Sequence, residues 1–201
     1  MLSNNPSSIK VSTRNTFEKV RSFVFLYIYY NRRFNLYYFY KKQQSLRKQP
    51  LIKLSGTSLS SVELDRHNML ADAVRDIERI GDHAENIIEL VDYQQANKVK
   101  ITDQAMADLE EMFALTTSSV NEAIKALDTN DLDLAREVTK KEDLIDKMER
   151  KLRKQHILRM NEGVCSGQAG IVFVDIVSNL ERMGDHAVNI AEAILGIRDA
   201  E

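Results

Sequence analysis

One segment of this chain occurs twice, and this duplication limits the fold more than any other feature. Residues 71–90 read ADAVRDIERIGDHAENIIEL and residues 174–193 read VDIVSNLERMGDHAVNIAEA, so 11 of 20 positions are identical at a constant offset of 103 residues. Both copies contain the pattern Glu-Arg-x-Gly-Asp-His-Ala-x-Asn-Ile. Repetition on this scale predicts two copies of one structural unit that face each other or stack.

The body of the chain, residues 51–201, has the composition of helices. It contains no proline, and strong helix formers dominate it. A capping box at Ser60 and Glu63 predicts a first helix, and Thr102 and Ser166 are candidate caps of two further helices. We predict four helices with short connections, at about 60–92, 102–127, 131–161 and 166–197. The fold class is therefore all-α, an antiparallel helical bundle of four long helices.

The first 50 residues differ from the body in charge and composition. They carry ten Lys and Arg against one acidic residue, whereas residues 51–201 carry 18 against 29. Eleven of the 14 Phe and Tyr also lie there. The aromatic stretch at residues 23–40 is interrupted by Asn31-Arg32-Arg33, which argues against a membrane-spanning helix. An interfacial membrane anchor and a helix or strand packed on the body remain open, but a basic, aromatic-rich leader that is disordered or non-native is favoured.

Several classes of protein lack support in this sequence. Cys165 is the only cysteine, which excludes an internal disulfide and favours a reducing compartment. The chain has no glycine-rich phosphate loop, no Gly-x-Ser-x-Gly elbow, no His-Glu-x-x-His and no Rossmann fingerprint. An acidic body argues against nucleic-acid binding. Because no pair of catalytic acid and base groups is visible either, we predict that the protein is not an enzyme.

Carboxylates spaced one helical turn apart recur along the body. Like charges at this spacing destabilise a helix by about 0.2–0.5 kcal/mol per pair. Screening by solvent and by nearby arginines is one way in which this repulsion is offset. A bound cation is the other, because carboxylates of adjacent helices supply hard oxygen ligands. Iron, manganese, magnesium or calcium would suit such a site, whereas a structural zinc would need Cys or His ligands. Three Glu-x-x-x-Asp pairs flank the apolar stripes: Glu78 and Asp82, Glu142 and Asp146, and Glu181 and Asp185.

Two further residue types recur at matching positions of the copies. Gly81 and Gly184 lie in mid-helix, where glycine costs about 1 kcal/mol relative to alanine. Their recurrence indicates a close approach of helices or an exposed backbone carbonyl, and simple tight packing explains it equally well. His83 and His186 directly follow the aspartates and therefore point about 100° away from the carboxylate pairs. We do not expect the histidines to be metal ligands.

The segments DIERIGDHAENI and NLERMGDHAVNI resemble the two signature helices of the PhoU family of phosphate-uptake regulators. The resemblance implies two similar three-helix bundles, each with Glu/Asp-x-x-x-Asp motifs that bind multinuclear metal clusters, iron in particular. From about Leu51 to Ile197 the chain is also similar to the C-terminal PhoU-like domain of sodium/phosphate cotransporter-family proteins. Carried over by motif, the resemblance assigns one cluster to Glu142, Asp146, Glu181 and Asp185, and half of another to Glu78 and Asp82.

The chain departs from the family pattern in its number of helices. A full PhoU protein has six, whereas the four predicted here correspond to one three-helix bundle plus the last helix of the preceding bundle. Residues 1–50 contain a single acid, so they cannot supply the missing motif, and one metal site is expected to be half built. The apolar face of the first helix would pack on the other helices, pair with a second chain, or be covered by the leader.

The resemblance implies a non-enzymatic, cytoplasmic regulatory or accessory domain of phosphate uptake, located in the cytoplasm or at the inner face of the membrane. Its implied partner is the membrane subunit or domain of a phosphate transporter, or a phosphate-signalling histidine kinase; a homodimer is also open. The alternative is a structural helical adaptor whose acidic pairs bind no metal. A metal-dependent hydrolase or oxidase is less favoured, because no nucleophile or set of His ligands is visible.

Overall fold

The computed structural model describes residues 61–196, with side chains described at residues 69, 70 and 72–196. Within this range all regular structure is helical, so the all-α prediction is confirmed. The predictions for the leader at residues 1–50, for the boundary at residue 51 and for the cap at Ser60 lie outside the described residues. The helices are α1 (Ser61–Ala96), α2 (Asp103–Thr129), α3 (Leu132–Asn161) and α4 (Gly167–Leu195).

Capping residues explain where three of the helices begin. The side-chain oxygens of Thr102, Asp131 and Ser166 accept hydrogen bonds from backbone N–H groups of the first turns of α2, α3 and α4. These N–H groups have no carbonyl partner within the helix, so each cap stabilises its helix. At the other end, α2 and α4 stop at Asn130 and Gly196, both in the left-handed conformation. The predicted boundaries are confirmed to within two residues at these ends.

The first helix continues about one turn beyond its predicted end at Asp92. Its apolar stripe stops at Val91, but the following residues contain no helix breaker, and the helix ends only at Ala96. The chain then turns at Lys98, whose φ is 53°. The end of an apolar stripe marks the end of packing, which here comes before the end of the hydrogen-bonded helix.

The helices form one three-helix bundle with a fourth helix attached. α2, α3 and α4 contact one another pairwise, whereas α1 packs on α4. α4 therefore contacts all three of the other helices, and it is apolar over most of its circumference. No helix within residues 61–196 is both long and apolar enough to cross a membrane. The residues of α4 that carry the core include Phe173, Val177, Leu180, Ala187 and Ile190, each at most 1% exposed.

The apolar face of α1 is covered. Ile80, Ala84 and Ile87 are at most 1% exposed, and α4 packs against the helix that carries them. This confirms the first of the three options for this face, with α4 as the helix that provides the contact. Because α1 and α4 hold the two copies of the repeat, the copies face each other directly.

Candidate metal centre

Carboxylates of α3 and α4 converge on one face of the bundle. One oxygen atom from each of Glu142, Asp146 and Asp185 lies within 4.8 Å of the others. All three side chains are half-buried. α3 supplies the first two from positions one turn apart, and α4 supplies the third. Together with the adjacent Glu181, these residues are called the acidic cluster below.

Close packing of the two helices brings these carboxylates together. A Cβ atom at Gly184 would lie 3.0 Å from Cδ1 of Ile145, so the glycine allows α3 to approach α4 at the level of the cluster. Ile145 itself is 1% exposed. A Cβ atom at Gly81 would meet no atom of the described residues within 4 Å. The expectation of close approach is therefore confirmed for Gly184, whereas no described neighbour makes such an approach at Gly81.

Electrostatic repulsion accumulates in the acidic cluster. Burial, and then the neighbouring charges of Asp185 and Asp146, raise the pKa of Glu181 to about 6. Burial and the charge of Asp146 likewise raise the pKa of Glu142 and of Asp185 above their ordinary values. In all three cases the charged form is disfavoured, which is the electrostatic condition that a bound cation relieves.

Two arginines partly compensate this charge. Asp146 pairs with Arg150 at 2.9 Å, and Glu149 pairs with Arg153 at 2.5 Å. Sequence reasoning missed Glu149, which contributes to the raised pKa of Glu181. The signal was present, because Glu149 follows Asp146 by three residues and such residues share a helix face.

The other carboxylates of the cluster have no such ion pair among the side chains that the structure describes. No Lys or Arg nitrogen lies within 4.0 Å of the carboxylate oxygens of Glu142, Glu181 or Asp185 there. Their like charges are therefore less compensated than that of Asp146. The open side of the cluster is where a cation would be most stabilised.

The pair in the first copy of the repeat has different surroundings. Glu78 and Asp82 are both exposed, and the nearest ion pair joins Asp82 to Arg79 at 3.9 Å. The structure does not bring Glu78 and Asp82 to the acidic cluster. Within the described residues they form no three-carboxylate group of their own.

The histidines of the repeat meet at the contact between α1 and α4. The rings of His83 and His186 stack with centroids 5.6 Å apart and an interplanar angle of 21°. Nδ1 of His186 lies 3.0 Å from Oδ1 of Asp76, and Nδ1 of His83 lies 2.9 Å from Oδ1 of Asn179. Burial lowers the pKa of His83. Both rings thus join the two helices to each other.

These contacts follow the symmetry of the repeat. Asp76 and Asn179 occupy equivalent positions in the two copies, and each bonds to the histidine of the opposite copy. The asparagines Asn86 and Asn189 repeat the pattern, each donating a hydrogen bond of 3.2 Å to the same oxygen as the histidine. The copies are therefore related by an approximate two-fold axis, and the single Asp/Asn difference between them lies at this contact.

Comparisons with known proteins agree with this architecture. A family model described as the PhoU domain matches residues 40–91 and 109–194. The phosphate-specific transport system accessory protein PhoU homolog 1 of Thermotoga maritima is 38% identical over 122 residues, which is 61% of this chain and 52% of that protein. A PhoU homolog of Clostridium acetobutylicum is 30% identical over 96 residues, 46% of this chain and 44% of that protein. The chain thus spans about half the length of these curated relatives.

Solved structures share the fold. The crystal structure of PhoU from Pseudomonas aeruginosa superposes with a TM-score of 0.67 at 18% identity and covers 92% of this chain and 97% of its own. PhoU of Streptococcus pneumoniae gives a TM-score of 0.65 at 21% identity, with 96% and 85% covered. At these identities the likeness establishes the helical architecture alone.

Proposed function

The chain belongs to the PhoU family, and we propose that it is a regulatory or accessory domain of phosphate uptake whose acidic cluster binds a metal ion. The role is regulatory and not enzymatic, and the domain acts in the cytoplasm. Family membership supports the link to phosphate transport. The observation that carries the metal proposal is the convergence of three carboxylate oxygens, from Glu142, Asp146 and Asp185, within 4.8 Å of one another.

The donor set fits a hard cation. Oxygen ligands of calcium lie 2.3–2.6 Å from the ion, so ligands on opposite sides of one ion are at most about 5.2 Å apart. The three converging oxygens satisfy this limit, and we propose Glu181, one turn before Asp185 on α4, as the fourth carboxylate because its pKa responds to the charges of Asp185 and Asp146. Iron is the metal that family membership favours, and manganese, magnesium and calcium accept the same all-oxygen ligands. When bound, the cation supplies positive charge that offsets the repulsion within the cluster.

This chemistry suggests how the domain acts on a partner. A cation held between α3 and α4 ties the two helices together at the acidic face and reduces its negative charge. That face then becomes a docking surface for the membrane subunit or domain of a phosphate transporter, or for a phosphate-signalling histidine kinase. Regulation would follow from the metal-dependent strength of this contact.

A structural adaptor without metal is the second candidate. The ion pairs of Asp146 with Arg150 and of Glu149 with Arg153 favour it, because protein cations already offset part of the charge. Exposed pairs of this kind contribute about 0–1 kcal/mol. They leave Glu142, Glu181 and Asp185 without a partner among the described side chains, and for this reason metal binding is preferred.

Metal analysis of the purified chain separates the two candidates. Elemental analysis of wild type should find bound metal, and a free cation at 100 times its Kd should raise the free energy of unfolding by about 2.7 kcal/mol. The double variant Glu181→Gln/Asp185→Asn should lose both effects. The matched control Glu78→Gln/Asp82→Asn changes the same residue types in the first copy and should behave as wild type. Equal metal content in all three proteins, or none in wild type, would support the adaptor.

Binding to partners tests the regulatory role. The chain, loaded with metal or treated with a chelator, is passed over an immobilised phosphate-transporter membrane complex and over the cytoplasmic part of a phosphate-signalling histidine kinase. Binding to either one that weakens after chelation supports the proposal. Binding to neither, or binding that the Glu181→Gln/Asp185→Asn variant retains in full, contradicts it.

A further inference from the structure

A second group of donor atoms lies where α3 ends and α4 begins, about 15 Å along the helix axis from Asp146. His156 and Met160 lie one turn apart on α3, and Cys165 lies in the connection to α4. Sγ of Cys165 is 3.6 Å from Nε2 of His156. Sδ of Met160 lies 2.5 Å from the point that a Cβ atom of Gly170 would occupy, and Nε2 of His156 lies 3.5 Å from the same point. Sδ of Met160 and Nε2 of His156 therefore lie near the same point of α4, which has room for them because residue 170 is a glycine, and Sγ of Cys165 lies next to Nε2.

One ring nitrogen of the buried His156 lacks a hydrogen bond in the described part of the chain. The residue is 1% exposed; its Nε2 lies within hydrogen-bond distance of Sγ of Cys165, whereas its Nδ1 has no partner among the described residues. Its ring stacks on Phe173, with centroids 4.2 Å apart and an interplanar angle of 10°, and this contact fixes the direction of Nε2. Buried polar groups in native proteins are nearly always paired, so the position of this ring needs an explanation.

The charges around His156 suit a neutral metal-ligating imidazole. Burial, and then the charge of Arg159, lower the pKa of His156. Arg159 is itself paired with Asp108 of α2, so the surroundings do not repel a monovalent cation strongly. A neutral imidazole is the form that binds metals.

The distances agree with ligands that share one metal ion. With the bond lengths known for zinc, about 2.3 Å to sulfur and 2.0–2.1 Å to nitrogen, ligands at trigonal or tetrahedral angles lie about 3.6–3.8 Å apart. The observed separation of Cys165 and His156 is 3.6 Å. Met160 is 39% exposed, and its unbranched side chain can turn its sulfur toward the same point.

We propose that Cys165, His156 and Met160 form a binding site for one Cu(I) ion, separate from the acidic cluster. Thiolate and thioether sulfur are soft ligands that select Cu(I), whereas hard cations prefer the all-oxygen cluster. On binding, the thiol of Cys165 releases its proton to solvent and the sulfur bonds to the ion. No electron is transferred, because the metal enters as Cu(I). The site does not depend on the function proposed above.

Competition with a colorimetric chelator tests the site. The reduced, intact chain is titrated anaerobically with Cu(I) in the presence of bicinchoninate, and one Cu(I) per chain should be withdrawn from the chelator. Met160→Leu keeps the volume of the side chain, and should weaken binding by about tenfold or more, which is about 1.4 kcal/mol. Cys165→Ser should weaken it further. The matched control Met148→Leu removes a thioether elsewhere on α3 and should leave the affinity unchanged.

X-ray absorption at the copper edge gives an independent measurement. Wild type should show two sulfur neighbours of copper, and Met160→Leu should show one; circular dichroism verifies that each variant retains its helices. The Glu181→Gln/Asp185→Asn variant should bind Cu(I) as wild type does, and a loss of affinity there would overturn the separation of the two sites. If wild type withdraws no Cu(I) from the chelator, or if Met160→Leu binds as tightly as wild type, the proposal is wrong. The contact between Cys165 and His156 is then an S–H···N hydrogen bond alone.

Discussion

The two copies of the repeat carry the same acidic pair in different surroundings. Glu181 and Asp185 of the second copy lie against α3, and burial, followed by neighbouring charges that include Asp146 of α3, raises the pKa of both residues. Glu78 and Asp82 of the first copy are exposed, and no described helix adds carboxylates to them. The comparison teaches that a Glu-x-x-x-Asp pair becomes a candidate metal site only through the helix that packs beside it.

The copies also differ at the glycine that follows each glutamate by three residues. Gly184 faces the side chain of Ile145, whereas Gly81 faces no atom of the described residues within 4 Å. Within the described part of the chain, only Gly184 therefore has a packing role that offsets the conformational cost of glycine in a helix. Substitutions at and near these glycines can separate two contributions to the free energy of unfolding: the packing of α3 on the second copy, and the helix that both copies form.

The largest expected effect comes from the residue that joins α3 to the second copy. Ile145→Ala should lower the free energy of unfolding by about 2–5 kcal/mol, because it leaves a cavity beside Gly184. Urea unfolding followed by circular dichroism measures this. The neighbouring Leu144 is 52% exposed, so Leu144→Ala should stay within about 0.5 kcal/mol of wild type. Equal effects of the two substitutions would mean that α3 is not packed on the second copy as described.

Substitution of the two glycines by alanine should have different effects on the free energy of unfolding. Gly81→Ala should raise the free energy of unfolding by up to about 1 kcal/mol, because alanine favours the helix and its Cβ meets no described atom within 4 Å. At Gly184 the same gain is offset by crowding against Ile145, which costs about 1–3 kcal/mol in a packed core. Thermal unfolding of the two variants should therefore place Gly81→Ala above wild type, and Gly184→Ala at or below it. The reverse order would contradict the asymmetry between the copies.

The smallest expected effect is the pH dependence that Glu181 of the second copy contributes and its counterpart Glu78 does not. The pKa of Glu181 is raised from 4.5 to about 6, so the metal-free native state keeps a proton that the unfolded chain releases in that range. The contribution of Glu181 to the free energy of unfolding should therefore fall as the pH rises from 4.5 to about 6. Urea titrations in the presence of a chelator should find a shallower fall for Glu181→Gln. Glu78→Gln, the same substitution in the first copy, should show the same change of unfolding free energy with pH as wild type. Identical pH dependence of wild type, Glu181→Gln and Glu78→Gln would contradict the electrostatic difference between the two copies.

Much of the architecture was predictable because its signals are local. The caps Thr102 and Ser166 and the apolar stripes predict where helices begin and which faces are buried. The acidic pairs were equally visible as residues one turn apart. Sequence reasoning missed Glu149 as a member of the acidic face, although its helical spacing was a usable signal. It also had no means to detect the bonds of Asp76 to His186 and of Asn179 to His83.

The four helices of residues 61–196, the duplication and the paired carboxylates could all be read from the sequence, since propensity, capping and periodicity act within a few residues along the chain. The tertiary structure alone decided which pair meets a third carboxylate, which glycine is crowded, and that Cys165 approaches His156. These outcomes depend on contacts between separate helices. The physical reason is that helix packing buries apolar area without regard to the polar residues beside it, so identical motifs acquire different neighbours and different chemistry.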